Sequence, residues 1–347
     1  MAVPLYEKKV KHFLIIFPSF IMLAIFAFTL SLSIGSSMLD PVKVFQAIFL
    51  KPFGYAAGDV VEIIAGLRLV RALASIFCGA SLALAGLLMQ TTTRNPLADP
   101  YIFGLSSTAL TLVALGILLV PSLMVHKVWV IAISFLGSML GYALTLLLSR
   151  LGEGTSTAMV LAGIAVASLF SGVSHVLLYL VQQVTRTPYM YLLMGSASTV
   201  LWADLQFLIF PSISLTILAL ALFKPLNAYL YGDEYAKQLG FNPTLIRNAT
   251  SFLASLLTAI TIAFVGIVGF IGLIAPHVAR FFVGSDHRFS IPMTILIGGL
   301  VTLIADTFVK LTNVFVRGLG ELPLGVVTAI IGSPFLAYIV VKRRVKR

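Results

Sequence analysis

YGDEYAKQLGFNPTLIR, residues 231–247, is a hydrophilic segment between two long apolar stretches. Its acidic residues Asp233 and Glu234 suit the electropositive N-terminal end of a helix. Gly240 can adopt the left-handed conformation that ends a helix, and Asn242 precedes a proline, which is a typical helix start. The pattern predicts two short helices joined by one glycine-centred turn, and therefore a shaped surface instead of a slack linker.

The sequence around this segment has the composition of a membrane protein. Of its 347 residues, 59% are hydrophobic and 10% are charged, and the mean hydropathy is +1.06. Windows of roughly 20 apolar residues are long enough to cross a hydrocarbon core of about 30 Å. Because backbone groups in lipid must bond internally and no strand alternation indicates a barrel, the spans are predicted to be helices.

The predicted fold class is an all-α polytopic membrane protein with ten transmembrane helices, forming a single transmembrane domain over residues 1–347. The predicted spans are residues 12–33, 70–90, 103–120, 128–149, 157–181, 202–223, 248–268, 269–283, 291–310 and 324–341. With an even count, most of the 23 lysines and arginines lie on one side together with both termini. The positive-inside rule therefore places both termini and residues 231–247 in the cytoplasm.

The net charge of +11 does not indicate a nucleic-acid partner, because many of the basic residues flank the first and last spans. The single cysteine, Cys78, can form no intrachain disulfide. His277 and His287 lack a companion cysteine cluster or an H-E-x-x-H pattern, so structural hydrogen bonds are predicted for them and metal ligation is not.

Small residues predict where helices meet closely. Gly79, Ala83 and Gly86 form a stripe in the second span, and Gly137 and Gly141 form a second stripe in the fourth. Such stripes permit close backbone approach in membranes, either within the chain or at a subunit interface. The sequence leaves these two alternatives open.

Asp306, late in the ninth span, is an acid within a helix that should be mostly buried. An intramembrane carboxylate is a functional candidate by default. However, Lys310 lies four residues later and can reach it on the same helix face. An ion pair is therefore predicted in preference to a proton-coupled site.

Four stretches resemble, in order and spacing, the motifs of ABC importer permeases for iron-siderophores, haem and cobalamin. They are RLVRALASIFCGASLALAGLLMQTTTRNPLADPYIFG (68–104), GDEYAKQLGFN (232–242), GFIGLIAPHVARFFVGSDHR (269–288) and ELPLGVVTAIIGSPF (321–335). The similarity covers essentially the whole chain. It implies a homodimer in the lipid bilayer of the cytoplasmic (inner) membrane, with two cytoplasmic ATPase subunits and an extracytoplasmic substrate-binding protein.

The resemblance implies that residues 231–247 are the coupling segment, which docks in a groove of the ATPase. A solvated turn between spans is the alternative. The chain contains no G-x-x-x-x-G-K-[ST] phosphate loop, so ATP and Mg are expected on the partner ATPase. No catalytic residue, bound cofactor or metal is expected on this chain. The residues expected to be central to coupling are Gly232, Asp233, Glu234, Ala236, Leu239 and Gly240.

On the opposite face, the resemblance implies that basic residues pair with acids of the binding protein. The expected contacts are Arg68, Arg71 and Lys310, where the family usually has arginine at the third position. Arg317, in a loop that is longer than usual, is a substitute for that third contact. Anchoring to lipid headgroups is the alternative for all four residues.

Four further residues are candidates for a gate or for the translocation path, again by resemblance: Asn95, Pro96, Ser171 and His175. For Asn95 and Pro96, turn geometry and capping are the alternative role. His175 lies in the fifth span, which the family places beside the path. A packed or hydrogen-bonded histidine is the alternative to one that faces a chelate or haem.

The predicted function is that of a permease subunit, not an enzyme, moving an iron-siderophore, haem, cobalamin or similar metal chelate inward by alternating access. An importer of the same fold for an oxyanion such as molybdate is an alternative. A proton-coupled carrier would need buried acids along a path, and Asp306 fits that need poorly. A channel would need a selectivity filter or a ring of like charges, and neither is visible.

Overall fold

The structure, a computed structural model, describes residues 2–35, 38–50, 58–152, 154–185, 195–315 and 321–344. These residues contain no β-strand, which confirms the all-α prediction. The α-helices are α1 (Ala2–Ser33), α2 (Pro41–Phe45), α3 (Asp59–Thr92), α4 (Leu105–Leu119), α5 (Pro121–Met124), α6 (Lys127–Leu151), α7 (Ser156–Thr185), α8 (Trp202–Ala221), α9 (Phe223–Tyr229), α10 (Asp233–Gln238), α11 (Pro243–Val265), α12 (Ile271–Val283), α13 (His287–Phe315) and α14 (Leu324–Arg344).

Each of the ten predicted spans overlaps one of these helices. Within the described residues, seven helices are long and apolar enough to cross a membrane: α1, α3, α6, α7, α8, α11 and α13. The three others, α4, α12 and α14, are shorter apolar helices. The count of ten membrane crossings therefore stays a prediction, while the multi-pass helical architecture is confirmed.

Several helices begin earlier than predicted, α3 and α11 among them. The second span was predicted from residue 70, but α3 begins at Asp59, so Arg68 and Arg71 lie within the helix. The seventh span was predicted from residue 248, but α11 begins at Pro243. Hydropathy marks only the part of a helix that lies in lipid, and a helix can continue into water beyond it.

The long helix α3 is the centre of the bundle and packs against α11, α12 and α13. In its most apolar window 78% of the residues are buried, whereas the value for α1 is 11%. The glycine stripe makes this packing close. A Cβ at Gly86 would lie 1.9 Å from the carbonyl oxygen of Gly272 on α12, and one at Gly79 would lie 2.2 Å from that of Gly298 on α13. This stripe therefore packs within the chain.

The second stripe has the same role at another contact. A Cβ at Gly137 would lie 2.8 Å from the Cα of Ala109, and a Cβ at Gly141 would lie 2.4 Å from the hydroxyl oxygen of Thr108. Both contacts join α6 to α4. Helices on the periphery leave large apolar side chains exposed, as expected for surfaces that face lipid or a second subunit.

Candidate functional site

The polar segment at residues 231–247 contains the short helix α10, and glycines set both of its ends. Gly232 and Gly240 have φ values of +116° and +82°, a region that favours glycine. The Gly240 N–H donates to the carbonyl of Lys237 at 2.9 Å, and the Phe241 N–H donates to the carbonyl of Ala236 at 2.9 Å. These bonds satisfy the last carbonyls of α10, so the expected glycine stop is present.

The prediction of a second short helix after the turn is wrong. Asn242 accepts hydrogen bonds from the N–H groups of Thr244 (3.0 Å) and Leu245 (3.2 Å), as a helix cap does. The helix that starts there is α11, which runs without a break to Val265 because its whole length packs in the bundle. The segment is therefore one short helix and a turn fastened directly to a membrane helix.

The surface of this segment combines charged and apolar side chains. Tyr231, Tyr235, Leu239 and Leu245 are 76%, 44%, 53% and 67% exposed, and the rings of the two tyrosines are 5.3 Å apart. Exposed aromatic and aliphatic groups beside a membrane bundle are typical of a protein-binding surface. Ala236, by contrast, is fully buried and holds α10 against the bundle.

The ion pairs of α10 differ in what they join. Lys237 pairs with Glu234 within the helix at 2.8 Å, and this exposed contact raises the pKa of Lys237. Asp233 instead pairs with Arg94, which follows α3. Arg94 was not among the predicted site residues. Its position, as a charged residue directly after a buried span, is the feature of the sequence that indicates it.

The turn that contains Asn95 and Pro96 is built by side-chain caps. Asn95 accepts a hydrogen bond from the Leu97 N–H at 3.0 Å, and Asp99 accepts one from the Tyr101 N–H at 2.9 Å. Burial raises the pKa of Asp99 to about 6, although the Tyr101 hydrogen bond opposes this. The contacts are those of the turn-geometry alternative, and the gate role stays a prediction.

A buried polar cluster lies beside this turn. His287 Nε2 is 2.9 Å from the Thr91 hydroxyl, and its Nδ1 is 2.8 Å from the Asn227 side-chain oxygen. Asn227 also donates to Asp286 at 2.8 Å. His287 therefore makes the structural hydrogen bonds that were predicted for it. Pro96 and His287 line a neighbouring cavity of about 220 Å³.

At the other end of α3, four charged side chains form a network. The Arg71 Nε donates to both oxygens of Asp306 at 2.8 and 3.1 Å, and its Nη1 donates to Glu321 at 2.7 Å. Lys310 lies 3.2 Å from Asp306 and donates to the Ser31 hydroxyl at 3.0 Å. The Asp306–Lys310 pair has the geometry that the sequence predicted. It is nearly inaccessible, with side-chain exposures of 1% and 6%.

Three members of this network, Arg71, Lys310 and Glu321, line a cavity of about 420 Å³ together with Arg68. Arg68 donates to the carbonyls of Leu32 (2.8 Å) and Ser33 (3.0 Å) at the end of α1. Partial burial raises the pKa of Glu321, but Arg71, Ser198 and Lys310 together lower it, and the net shift is downward. The cavity is therefore strongly charged. Arg317 lies outside the described residues.

The path candidates Ser171 and His175 lie together on α7. The His175 Nδ1 is 2.6 Å from the carbonyl oxygen of Ser171, and His175 is exposed on this chain. The contact is consistent with the hydrogen-bonded alternative, and a role in a path stays a prediction. Among the described residues, no group of three or more His, Cys, Asp or Glu could hold a metal ion.

A helical bundle with a capped polar segment at one end and a charged cavity at the other defines a multi-pass membrane permease. The chain belongs to the FecCD transport family, whose sequence profile matches residues 23–342. It is a permease subunit of an ABC importer, and the family resemblance of the four motifs is confirmed.

Individual relatives agree with this assignment. The chain is 31% identical to the Fe(3+)-citrate import system permease protein YfmD of Bacillus subtilis, covering 97% of this chain and 98% of that protein. It is 32% identical to the cobalamin import system permease protein BtuC of Halobacterium salinarum, covering 86% and 79%. A solved ABC transporter assigned to the metal-chelate type, in an inward-facing conformation, matches with a TM-score of 0.78 at 27% identity, covering 96% of this chain and 99% of that one.

Proposed function

We propose that two copies of this chain form the pathway of an importer for a metal chelate in the cytoplasmic (inner) membrane. Both termini lie in the cytoplasm. Two cytoplasmic ATPase subunits bind residues 231–247 and supply the energy, and an extracytoplasmic binding protein delivers the substrate. The observation that carries this proposal is the capped segment with its exposed Tyr231, Tyr235 and Leu239, which is fastened to the bundle by buried Ala236.

Rigidity is what this role requires of the segment. A slack linker cannot transmit the displacement of a partner, whereas a short helix with satisfied ends moves as a unit. The glycine-ended α10 and the Asn242 cap of α11 supply satisfied ends on both sides of one turn. The two polar ends of the molecule are well separated, because Arg71 and Gln90 lie on one helix, about 30 Å apart at 1.5 Å per residue.

The charged cavity is the proposed contact for the binding protein. Arg68 and Arg71 would pair with acidic side chains of that partner. Lys310 has a side-chain exposure of 6% and instead forms an ion pair with the buried Asp306. Arg71 already holds Glu321, so an incoming carboxylate would exchange with this more exposed acid and leave Asp306 in place. Anchoring to lipid headgroups is the less suitable role, because Arg68 and Arg71 already form hydrogen bonds and ion pairs within the protein.

The relatives narrow the substrate to a class. They are named for ferric citrate and cobalamin, and the solved transporter is of the metal-chelate type. We therefore propose a metal chelate in preference to an oxyanion. A proton-coupled carrier is disfavoured because Asp306 is held by two cations and is fully buried.

Replacing Gly240 with valine should weaken the binding of the ATPase by about tenfold. A β-branched residue is strained at φ +82°, at a cost of roughly 1–2 kcal/mol, so the turn after α10 relaxes. No atom lies within 4 Å of an added Cβ, so packing is not disturbed. The measurement is the affinity of the purified ATPase subunit for the permease in detergent.

Gly154 provides a matched control for this substitution. It also has a positive φ, +62°, with nothing within 4 Å of a built Cβ, and it lies in the turn between α6 and α7. Gly154→Val should therefore carry similar strain and leave ATPase affinity unchanged. Equal affinity of the Gly240 variant and wild type would refute the coupling role of the segment.

A further inference from the structure

Arg94 holds the junction between α9 and α10 from the end of α3. Its guanidinium pairs with the Asp233 carboxylate at the start of α10. The Nε atom donates to the carbonyl of Tyr229, the last residue of α9, at 3.3 Å. The guanidinium carbon also lies 4.2 Å from the centre of the Tyr229 ring. One side chain therefore contacts both helices that precede the turn of the coupling segment.

The backbone of Arg94 is unusual. Its φ is +49°, a left-handed conformation that non-glycine residues rarely adopt. Directly after a helix this position is usually glycine. An arginine in this backbone conformation costs conformational energy. We infer that the side-chain contacts of Arg94 offset this cost.

The contacts of Arg94 lead to the central helix of the bundle. Arg94 follows the last turn of α3 and its N–H donates to the carbonyl of Thr91 at 3.2 Å. It also precedes Asn95 and Pro96, which begin the next turn. A displacement of α10 would therefore pull on both the inner end of α3 and this turn through a charged, hydrogen-bonded contact.

Other contacts of α10 do not provide this connection. The Glu234–Lys237 pair lies within α10 and joins it to nothing else. Ala236 is buried and packs α10 against the bundle, but its methyl side chain forms no ion pair or hydrogen bond. The Arg94–Asp233 ion pair, by contrast, links α10 to the end of α3.

We propose that the Arg94–Asp233 pair transmits movement of the coupling segment to α3 and to the turn at residues 94–99. Asp233 then acts within the permease, and the exposed Tyr231, Tyr235 and Leu239 of the same segment are the proposed contacts for the ATPase. Arg94 is a positioning residue, because it touches neither ATP nor substrate. This inference rests on the proposed function, in which a separate ATPase moves residues 231–247.

The test uses a reporter thiol at the turn and needs no knowledge of the substrate. Asn95→Cys places an exposed thiol beside Arg94, while the native Cys78 is buried. The reporter protein is assembled with its ATPase, and maleimide labelling is measured with and without ATP and vanadate. We expect nucleotide to change the labelling rate at position 95 by about fivefold or more.

Asp233→Asn in this reporter protein should abolish the nucleotide response while the ATPase stays bound and hydrolyses ATP. Adding Arg94→Ala to Asp233→Asn should cause no further loss, because the two side chains act through one contact. Lys127→Gln is the matched control. It breaks another pair between helices, with Asp204 at the start of α8, and should leave the response intact.

The outcomes separate the two proposals. If the parent protein retains no ATPase, the proposed function fails. If the ATPase is retained and the Asp233→Asn protein responds to nucleotide as its parent does, the transmission role alone is overturned. A parent that hydrolyses ATP without any change in labelling at position 95 also overturns it, because the turn then does not move with the coupling segment.

Discussion

Asp306→Asn is expected to destabilise the protein by about 3–5 kcal/mol, because it leaves the charges of Arg71 and Lys310 without their shared counter-ion in a buried site. Asparagine has nearly the same shape as aspartate, so the change isolates the charge. The free energy of unfolding can be measured by titrating the detergent-solubilised protein with SDS. A loss of this size would identify the network as the main polar brace between α3 and α13.

Glu321→Gln is the matched control, because Glu321 pairs with the same arginine but is 39% exposed. Ion pairs with exposed partners contribute only about 0–1 kcal/mol, so the loss should be small. Adding Lys310→Met to Asp306→Asn should recover part of the stability, because it removes one stranded cation. Equal losses for the Asp306 and Glu321 variants would contradict the buried-brace interpretation.

Gly86→Ala is expected to destabilise the protein by about 3 kcal/mol, the upper end of typical overpacking costs. The added Cβ would lie 1.9 Å from the Gly272 carbonyl oxygen and 2.4 Å from its carbonyl carbon and Cα. These are backbone atoms, so α3 and α12 must move apart along their contact. Unfolding in SDS and the yield of correctly folded protein would both report the change.

Gly66 offers the same substitution on the same helix with the opposite expected sign. No atom lies within 4 Å of a Cβ built on Gly66. Gly66→Ala should therefore stabilise the protein by about 0.5–1 kcal/mol through the better helix propensity of alanine. If both alanine variants shift stability in the same direction, close α3–α12 packing is not what requires glycine at position 86.

Local features of the fold could be predicted because they depend on neighbouring residues. The left-handed Gly240 and the Asn242 cap follow from residue chemistry within one or two turns of helix. The starts of α3 at Asp59 and of α11 at Pro243 could not be predicted from hydropathy, since both helices extend beyond their most apolar part. The start of α11 is marked instead by the local Asn242 cap, whereas no side chain caps the start of α3 at Gly58.

The candidate sites divide in the same way. Asp306 and Lys310 are four residues apart on one helix, so their pairing followed from helix geometry. Arg71 and Asp306 are 235 residues apart, and Arg94 and Asp233 are 139 apart. A single sequence gives no reason to join such distant charges. The double engagement of Arg71 and the contact of Arg94 became visible only once the helices were packed.

ATP-dependent uptake into proteoliposomes tests the central claim most directly. The permease is reconstituted with the ATPase that co-purifies from its native membranes and with the binding protein, and uptake of ferric citrate, haem and cyanocobalamin is measured. We predict that at least one of these chelates accumulates only when ATP, ATPase and binding protein are all present, whether or not a proton gradient is imposed. Accumulation driven by a proton gradient in the absence of the ATPase would contradict the account.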